Sequence, residues 1–335
     1  MLNNVVPTLW IRNDKEFYEE IKELVSNGVN KIRINCTRYS IDEYIEIISE
    51  FKRWCGENLG YNMDLILDLP IPKRKARLFY QWSGFELHIE QGEYGYINIG
   101  NEIGKNLTCN DYGIRDRLSV GDIMIIGDNQ LHLEVVELRE DAIRYVCQKG
   151  GDVPYGKFIT TQSVKYTEVN RLEISKYKDL IKSTSPFAIA LSFVESREEI
   201  CKVKELLEIE DVRIISKIET EEAVKNIVDI CKCSDDIMVG RGDLFINTVP
   251  ERFVKLVNCI TNACDRERKA CYIASGFLSS IARGMQIPSR AELTDLYYCM
   301  IKLKALVVLE YKLCNNMDSI RNVMKIIRGM KYDDF

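Results

Sequence analysis

Eight short apolar runs recur along the chain, and most are separated by segments with helical periodicity. The runs are VVPTLWI (5–11), KIRINC (31–36), MDLILDL (63–69), FAIALSF (187–193), VRIISKI (212–218), DIMVGRG (236–242), CYIASG (271–276) and ALVVLE (305–310). Runs that are apolar on both faces are typical of strands in a parallel sheet. Between them, residues 16–28 place apolar side chains on one helical face and end at Gly28, and residues 196–210 begin with a serine cap.

Eight strand–helix units predict an α/β protein, a (β/α)8 barrel whose active site lies at the C-terminal ends of the strands. An open doubly wound sheet is the alternative, but no G-x-G-x-x-G motif follows the first run. The alternation breaks over residues 76–168, which alternate with period two and contain Gly and Asp turns. We therefore expect a barrel made of residues 1–75 and 169–335, resuming near Val169–Asn170. A small all-β domain, 76–168, would be inserted after the third strand as a lid on the catalytic face.

Composition and charge argue against several function classes. The net charge is -5, which disfavours a nucleic-acid binder that relies on overall positive charge. No apolar stretch reaches the ~18 residues of a membrane span, and the N-terminus lacks the pattern of a signal peptide. Twelve cysteines without an export signal predict a reducing cytoplasm, with the thiols acting as small core residues. With only two histidines, His88 and His132, neither a Ser–His–Asp hydrolase nor a multi-histidine zinc site is expected.

Charged residues follow the fifth and sixth runs. Lys217 and Glu219 share one face of an extended segment, and Asp243 comes just past Gly242. Two carboxylates near one strand end, with few histidines anywhere, predict a Mg²⁺ or Mn²⁺ site. A lysine beside it would neutralise charge on a phosphate or an enolate oxygen. A solvated Lys–Glu pair is the alternative. At the end of the seventh run, Ser275 offers a hydroxyl, which is a weak signal alone.

Polar residues also end the second and third runs. Arg33, Asn35 and Thr37 alternate onto one face, and Arg33 suits bidentate contact with a phosphate or carboxylate. Asp68 ends the third run, and a basic cluster follows where the insert begins: Lys73, Arg74 and Lys75. A basic cluster of this kind is often part of a solvated loop. Because this cluster stands where the insert begins, it predicts instead an anionic ligand beneath the insert.

Several segments together resemble the pyruvate kinase family in order, spacing and wording. They are NGVNKIRINCTRYS (27–40), IISKIETEEAVKNI (214–227), DDIMVGRGDLF (235–245), RKACYIASGFLSS (268–280) and IPSRAELTDL (287–296). The first resembles the family's stretch from a Gly into an Arg-x-Asn-x-Ser-His strand end. The similarity covers the barrel nearly end to end, whereas the insert matches only weakly.

The resemblance implies roles for the matching residues. Lys217 looks like the catalytic lysine that stabilises the enolate and the transferring phosphoryl group. Glu219 and Asp243 look like the divalent-metal ligands, and Arg33 looks like the phosphate-contacting arginine. Ser275 stands where the family has a threonine near the methylene carbon of the enolate.

Further matches concern the substrate and a monovalent cation. Gly242 and Asp243 look like the turn whose backbone amides hold the substrate carboxylate, and Lys75 falls where a second arginine meets the phosphate. The family's monovalent cation would lie at Asn35, Thr37 and Asp68.

Two replacements bear on that cation. Lys73 aligns with the Glu that supports it, and Arg38 replaces the family's His. Both add positive charge near the substrate, and an ammonium supplies the charge of a bound ion. We therefore expect K⁺ not to be required.

Other departures concern the nucleotide. The strand-eight Ser-Gly-Glu-Thr loop of the family reads LEYKLCNN, with Glu310 and Tyr311, and the first strand reads TLWIRN instead of Thr-Ile-Gly-Pro-Ala-Ser. The loop after strand three reads LPIPK instead of Thr-Lys-Gly-Pro-Glu. The family's C-terminal regulatory domain is expected to be absent. The metal and enolate half of the site is therefore predicted to be kept and the nucleotide half altered.

Three functions follow as hypotheses. The first is a short pyruvate kinase that transfers phosphate between phosphoenolpyruvate and a nucleoside diphosphate. The second uses the same metal and lysine for another reaction of phosphoenolpyruvate or a 2-oxo acid in specialised metabolism, and the third is a non-catalytic binding homologue. All imply a small-molecule ligand, no nucleic acid and no membrane, and leave a homo-oligomer open.

Overall fold

The chain begins with alternating strands and helices. They are β1 Val5–Leu9, α1 Lys15–Ser26, β2 Lys31–Asn35, α2 Ile41–Leu59 and β3 Asp64–Arg74. The Asp14 side chain caps α1 by accepting from the backbone of Phe17, and Ser40 with Glu43 forms a capping box at α2. Past α1, Gly28 takes φ 83°, a backbone conformation that favours glycine and ends the helix where the sequence predicts.

The computed structural model describes residues 4–74, 76–81, 87–100, 107–111, 113–127, 131–153, 158–161, 167–168 and 171–330. The chain divides into two units. One is Met1–Pro72 with Asn170–Phe335, and the other is Lys73–Val169. Lys75 and the residues at which the barrel was expected to resume, Val169–Asn170, lie outside the described residues.

The second unit is built from short strands, as the period-two pattern predicts. These are β4 Leu78–Phe79, β5 Leu87–Ile89, β6 Tyr94–Ile99, β7 Leu107–Cys109, β8 Ile123–Ile126, β9 Leu131–Leu138, β10 Ala142–Lys149, β11 Gly151–Val153, β12 Ile159–Thr160 and β13 Thr167–Glu168. Seven of them form one sheet in the order β12-β8-β9-β10-β6-β7-β4. A short 3₁₀ helix spans Arg115–Arg117. Alternate side chains of these strands form a buried apolar cluster that includes Leu78, Ile97 and Leu133.

The rest of the chain returns to alternating strands and helices. They are α3 Arg171–Thr184, β14 Ala188–Ser192, α4 Arg197–Leu207, β15 Arg213–Ile218, α5 Glu221–Lys225, α6 Ile227–Cys233, β16 Asp236–Gly240, α7 Arg241–Ile246, α8 Pro250–Glu267, β17 Cys271–Ala274, α9 Ser279–Ala282, α10 Arg290–Tyr297, β18 Leu306–Leu309 and α11 Met317–Gly329. A π-helical turn spans Tyr298–Lys302 and a 3₁₀ turn spans Tyr311–Leu313.

Eight parallel strands close into a barrel. The order β1-β2-β3-β14-β15-β16-β17-β18 returns to β1, and each neighbouring pair is parallel. Its core is apolar and includes Val6, Ile66, Ile215, Met238 and Val308. This confirms the predicted (β/α)8 barrel with an inserted all-β region and rules out the open sheet.

Several strands are shorter than their apolar runs, and the sixth run shows why. The run 236–242 leaves the sheet at Gly240, and residues 241–246 form α7. The register explains this, since the last pairs of β16 are Val239 with Ile218 and Gly240 with Ala274. Beyond them the backbone has no strand to bond and satisfies its groups in a helix.

Two further predictions concern the whole chain. In the part of the chain that the structure describes, no helix is both long and apolar enough to cross a membrane. All twelve cysteines carry free thiols, and most are buried, as expected for small core residues.

Candidate active site

Lys217 forms the centre of a buried polar cluster at the C-terminal ends of the barrel strands. From β15 its Nζ lies 3.2 Å from Asp68 Oδ1 and 3.2 Å from Glu219 Oε1, and it donates to Ser192 Oγ at 3.2 Å. Its side chain is 11% exposed. Ser192 donates in turn to the carbonyl of Leu69, which fixes the hydroxyl toward the lysine.

Arg33 holds the other side of the same carboxylate. Its Nε donates to Asp68 Oδ2 at 2.9 Å, its Nη2 contacts the same oxygen, and its Nη1 donates to Thr8 Oγ1 at 2.9 Å. The guanidinium is thus anchored from β3 and β1. Arg33 and Asn35, predicted to share a face, both belong to β2, and Thr37 follows the strand.

Opposite charges set the ionisation of the cluster. Burial alone would lower the pKa of Lys217, but the carboxylates of Asp68 and Glu219 outweigh it, and the pKa is raised. Burial alone would raise the pKa of Asp68, but Lys217 and Arg33 outweigh it, and the pKa is lowered. At neutral pH the lysine is therefore an ammonium and the aspartate a carboxylate.

Glu219 is held in a fixed position. Its side chain is almost inaccessible, and its Oε2 accepts from the backbone N–H of Phe193 at 2.9 Å. Gly240 leaves the space for it, because a Cβ there would lie 2.6 Å from Glu219 Cγ and 2.7 Å from Oε1. Only glycine at 240 allows the carboxylate to stay in place.

Asp243 lies in the first turn of α7, which follows β16 directly, whereas Glu219 follows the neighbouring strand β15. Gly242, in the same turn, is exposed. No cluster of three or more His, Cys, Asp or Glu side chains forms a metal site among the described residues. Two carboxylates at the ends of neighbouring strands are the kind of oxygen donors that a hard divalent ion prefers.

Ser275 follows β17 in a constrained loop. Its backbone has φ 74°, and its carbonyl accepts from Arg241 Nε at 2.9 Å. The next residue, Gly276, donates its N–H to Glu310 Oε1 at 2.7 Å. The predicted hydroxyl is thus placed by residues from the ends of β16 and β18.

The residues assigned to a monovalent cation divide into two groups. Thr37 donates to Asn35 Oδ1 at 2.8 Å, and both are exposed, whereas the Asp68 carboxylate pairs with the two cations described above. Arg38 stacks its guanidinium on the Trp10 ring, which also meets Tyr311 edge-on at 5.5 Å. Lys73 is buried in β3, within the second unit.

Three contributors were missed by the sequence reasoning. Ser192, Thr8 and Gly240 support the lysine, the arginine and the glutamate respectively. The first two are the polar residues of the otherwise apolar runs FAIALSF and VVPTLWI, a signal that was available. For Gly240 the sequence shows only a glycine at a strand end.

The fold and the cluster together define a (β/α)8 barrel protein with a charged centre at the C-terminal ends of its strands. Comparison with known families gives a match to the model "Pyruvate kinase, barrel domain" over residues 4–310. The chain belongs to the pyruvate kinase family.

Curated relatives agree with this assignment. The chain is 28% identical over 287 residues to the pyruvate kinase of Clostridium perfringens, which covers 83% of this chain and 59% of that protein. It is 26% identical over 299 residues to that of Thermotoga maritima, with 87% and 62% covered, and 27% identical over 286 residues to that of Dictyostelium discoideum, with 83% and 56% covered. The chain therefore spans about three fifths of the length of these relatives.

Proposed function

We propose that this protein is a divalent-metal-dependent enzyme that acts on phosphoenolpyruvate or pyruvate through an enolpyruvate intermediate. The observation that carries the proposal is Lys217, whose ammonium is enclosed by Asp68, Glu219 and Ser192 at 3.2 Å. Family membership and the kinase activity of the relatives support the same chemistry.

The raised pKa of Lys217 defines what it does. A lysine that stays protonated at neutral pH is not a base; it stabilises negative charge that develops on an enolate or phosphoryl oxygen. Arg33 beside it adds a second fixed cation for the phosphate, at the far side of Asp68.

Glu219 and Asp243 would hold the metal, Mg²⁺ or Mn²⁺. When bound, the ion would act as a Lewis acid on the oxygens of the substrate. The family resemblance assigns the substrate carboxylate to the backbone amides of Gly242 and Asp243, which lie in the first turn of α7, where the helix dipole favours negative charge. The Ser275 hydroxyl would handle the proton at the methylene carbon.

A calorimetric titration tests the metal site. In Asp243→Ala, Mn²⁺ binding is expected to be lost or weakened by tenfold or more. The matched control is Asp229→Ala, which removes an exposed aspartate that pairs with Lys232. Unchanged Mn²⁺ binding in Asp243→Ala would overturn the metal assignment.

A second function has a specific observation in its favour. Glu310 and Tyr311 stand where the family carries its nucleotide loop, and a carboxylate there opposes the phosphates of ADP by like charge. The same metal and lysine would then serve another reaction of phosphoenolpyruvate or a 2-oxo acid. A non-catalytic binding homologue is the remaining alternative.

Phosphorus NMR separates these functions. The protein is incubated with phosphoenolpyruvate and Mg²⁺, with and without ADP. ATP formed with ADP present identifies an ordinary kinase, and consumption without ATP identifies a different reaction. Unchanged phosphoenolpyruvate, together with no deuterium uptake into pyruvate, identifies a binding homologue and overturns the enzyme proposal. We expect ADP to bind much more weakly than kinases require.

A further inference from the structure

The peptide bond between Ser275 and Gly276 is held at both ends by opposite charges. The carbonyl oxygen of Ser275 accepts from Arg241, at 2.9 Å from Nε and also from Nη2. The N–H of Gly276, at the other end of the same peptide unit, donates to Glu310 Oε1 at 2.7 Å. A guanidinium on the oxygen and a carboxylate on the N–H together fix the plane of this peptide.

The backbone at Ser275 needs such support. Its φ of 74° lies in the left-handed region, which is unfavourable for an L-residue with a side chain. Gly276 follows with φ 80°, which costs glycine little. Left-handed non-glycine residues persist only where their surroundings enforce them. Here the enforced residue is the one that carries the predicted catalytic hydroxyl.

Arg241 is itself immobilised. Its Nη1 lies 2.8 Å from Asp295 Oδ1 and 2.9 Å from Oδ2, and its guanidinium carbon lies 4.0 Å from the centre of the Phe277 ring. With a side chain that is 11% exposed, it is a buried anchor on α7. The loop after β17 is thus tied to α10 through Asp295.

Glu310 supplies the other anchor from the end of β18. Strand pairing brings β18 beside β17, and Glu310 is the first residue beyond it, so its side chain reaches across to Gly276. The sequence analysis interpreted Glu310 only as a charge in the altered nucleotide loop and did not anticipate its bond to Gly276.

The anchored peptide sets the direction of the hydroxyl. A Cβ added at Gly242 would lie 3.7 Å from Ser275 Oγ, so the hydroxyl lies over the first turn of α7. That turn also carries Asp243.

We propose that Glu310 and Arg241 are positioning residues that clamp the Ser275–Gly276 peptide and thereby aim the Ser275 hydroxyl at the first turn of α7. What the hydroxyl then does rests on the proposed function, whereas the clamp itself does not.

The first experiment needs no turnover. Hydrogen exchange of the Gly276 amide is measured by NMR in wild type, Glu310→Ala and Glu310→Gln. The alanine variant is expected to lose protection by tenfold or more, and the glutamine variant, which keeps an acceptor oxygen, is expected to retain most of it. Unchanged protection in Glu310→Ala would overturn the clamp.

The second experiment tests whether the clamp acts through Ser275. Deuterium uptake into the methyl group of pyruvate is measured in Glu310→Ala, Ser275→Ala and the double variant. The clamp predicts that Glu310→Ala lowers kcat at least tenfold with KM nearly unchanged, and that it has little further effect once Ser275 is alanine. Losses that multiply would show a merely structural role and overturn the positioning claim.

A matched control is available in α10. Glu292 accepts from the Ser280 N–H at 2.7 Å, the same kind of carboxylate–backbone bond, five residues beyond Ser275. Glu292→Ala is expected to lower the melting temperature without removing protection at Gly276, and any loss of rate should multiply with that of Ser275→Ala. If wild type shows no deuterium uptake with any 2-oxo acid, the proposed function fails. The clamp is then decided by hydrogen exchange at Gly276 and by a crystal structure of Glu310→Ala, which shows whether the Ser275 backbone leaves φ 74°.

Discussion

Replacing Lys217 by methionine removes the cation between two buried carboxylates. The contacts that these carboxylates lose and keep determine how far the free energy of unfolding falls. Asp68 and Glu219 are 3% and 2% exposed, and each loses an ammonium at 3.2 Å. Removing one partner of a buried ion pair costs about 3–5 kcal/mol. Asp68 keeps Arg33, and Glu219 keeps the N–H of Phe193, so we expect the lower end, about 3 kcal/mol.

The penalty is expected to shrink as the pH falls. In wild type the pKa of Asp68 is lowered by folding, so its contribution to stability is complete above the unfolded pKa of about 4 and is lost as the pH falls through the folded value. Without Lys217, Asp68 keeps only Arg33 as a cationic partner, so folding lowers its pKa less than in wild type. The variant is therefore expected to lose less stability than wild type as the pH falls below about 4.

Urea denaturation at pH 8 and at about pH 3 measures both effects. The matched control is Lys225→Met, which removes a surface lysine that pairs with Glu222 and should leave the free energy of unfolding unchanged. A Lys217→Met protein as stable as wild type at pH 8, or a penalty that is equal at both pH values, would refute the electrostatic reasoning.

Three other predictions test separate parts of the structure. Gly240→Ala forces a methyl carbon to within 2.6 Å of Glu219 Cγ, so it should weaken Mn²⁺ binding about tenfold or more and cost about 1–3 kcal/mol in stability. The control is Gly56→Ala, where an added carbon meets nothing within 4 Å. Equal effects in both variants would contradict the prediction. Burial raises the pKa of Glu20, so the folded protein binds its proton more tightly than the unfolded chain and stability is lost as the pH rises above about 4. The free energy of unfolding of Glu20→Gln should therefore rise relative to that of wild type as the pH increases from about 4 to 7, and a constant difference would contradict this. The family resemblance aligns Lys73 with the glutamate that supports the potassium ion, and an ammonium supplies the charge of a bound cation. We therefore expect activity to be equal in sodium, potassium and tetramethylammonium buffers, and Lys73→Glu to create a potassium requirement; a severalfold rise of wild-type activity with potassium would contradict this.

The fold was predictable because strands buried on both faces leave continuous apolar runs. Each of the eight runs contains a barrel strand, and the change of the apolar pattern to a period of two residues indicated the inserted all-β region. Strand ends were less predictable. The run 236–242 stops at Gly240, and β3 extends to Arg74, where its end pairs with β13. Such ends depend on which neighbour remains available for pairing, which local sequence does not record.

The site was predictable where spacing alone determines geometry. Lys217 and Glu219, two residues apart at the end of β15, do lie together. The pairing of Asp68 with Lys217 was not foreseen, since it joins β3 to β15 past the intervening strand β14, and sequence gives residue types without distances. For the same reason Glu310 was interpreted only through its charge, and its bond to Gly276 emerged from the structure.

The most direct test of the account is the uptake of solvent deuterium into the methyl group of pyruvate, followed by proton NMR in wild type, Lys217→Met and Lys225→Met. If the ammonium of Lys217 stabilises an enolate beside a divalent ion, wild type should exchange the methyl protons with Mg²⁺ or Mn²⁺ present and stop when the metal is chelated. Lys225→Met should behave like wild type, and Lys217→Met should lose on the order of 10²-fold or more in rate. Exchange that persists in Lys217→Met, or that continues unchanged after chelation, would contradict the central claim.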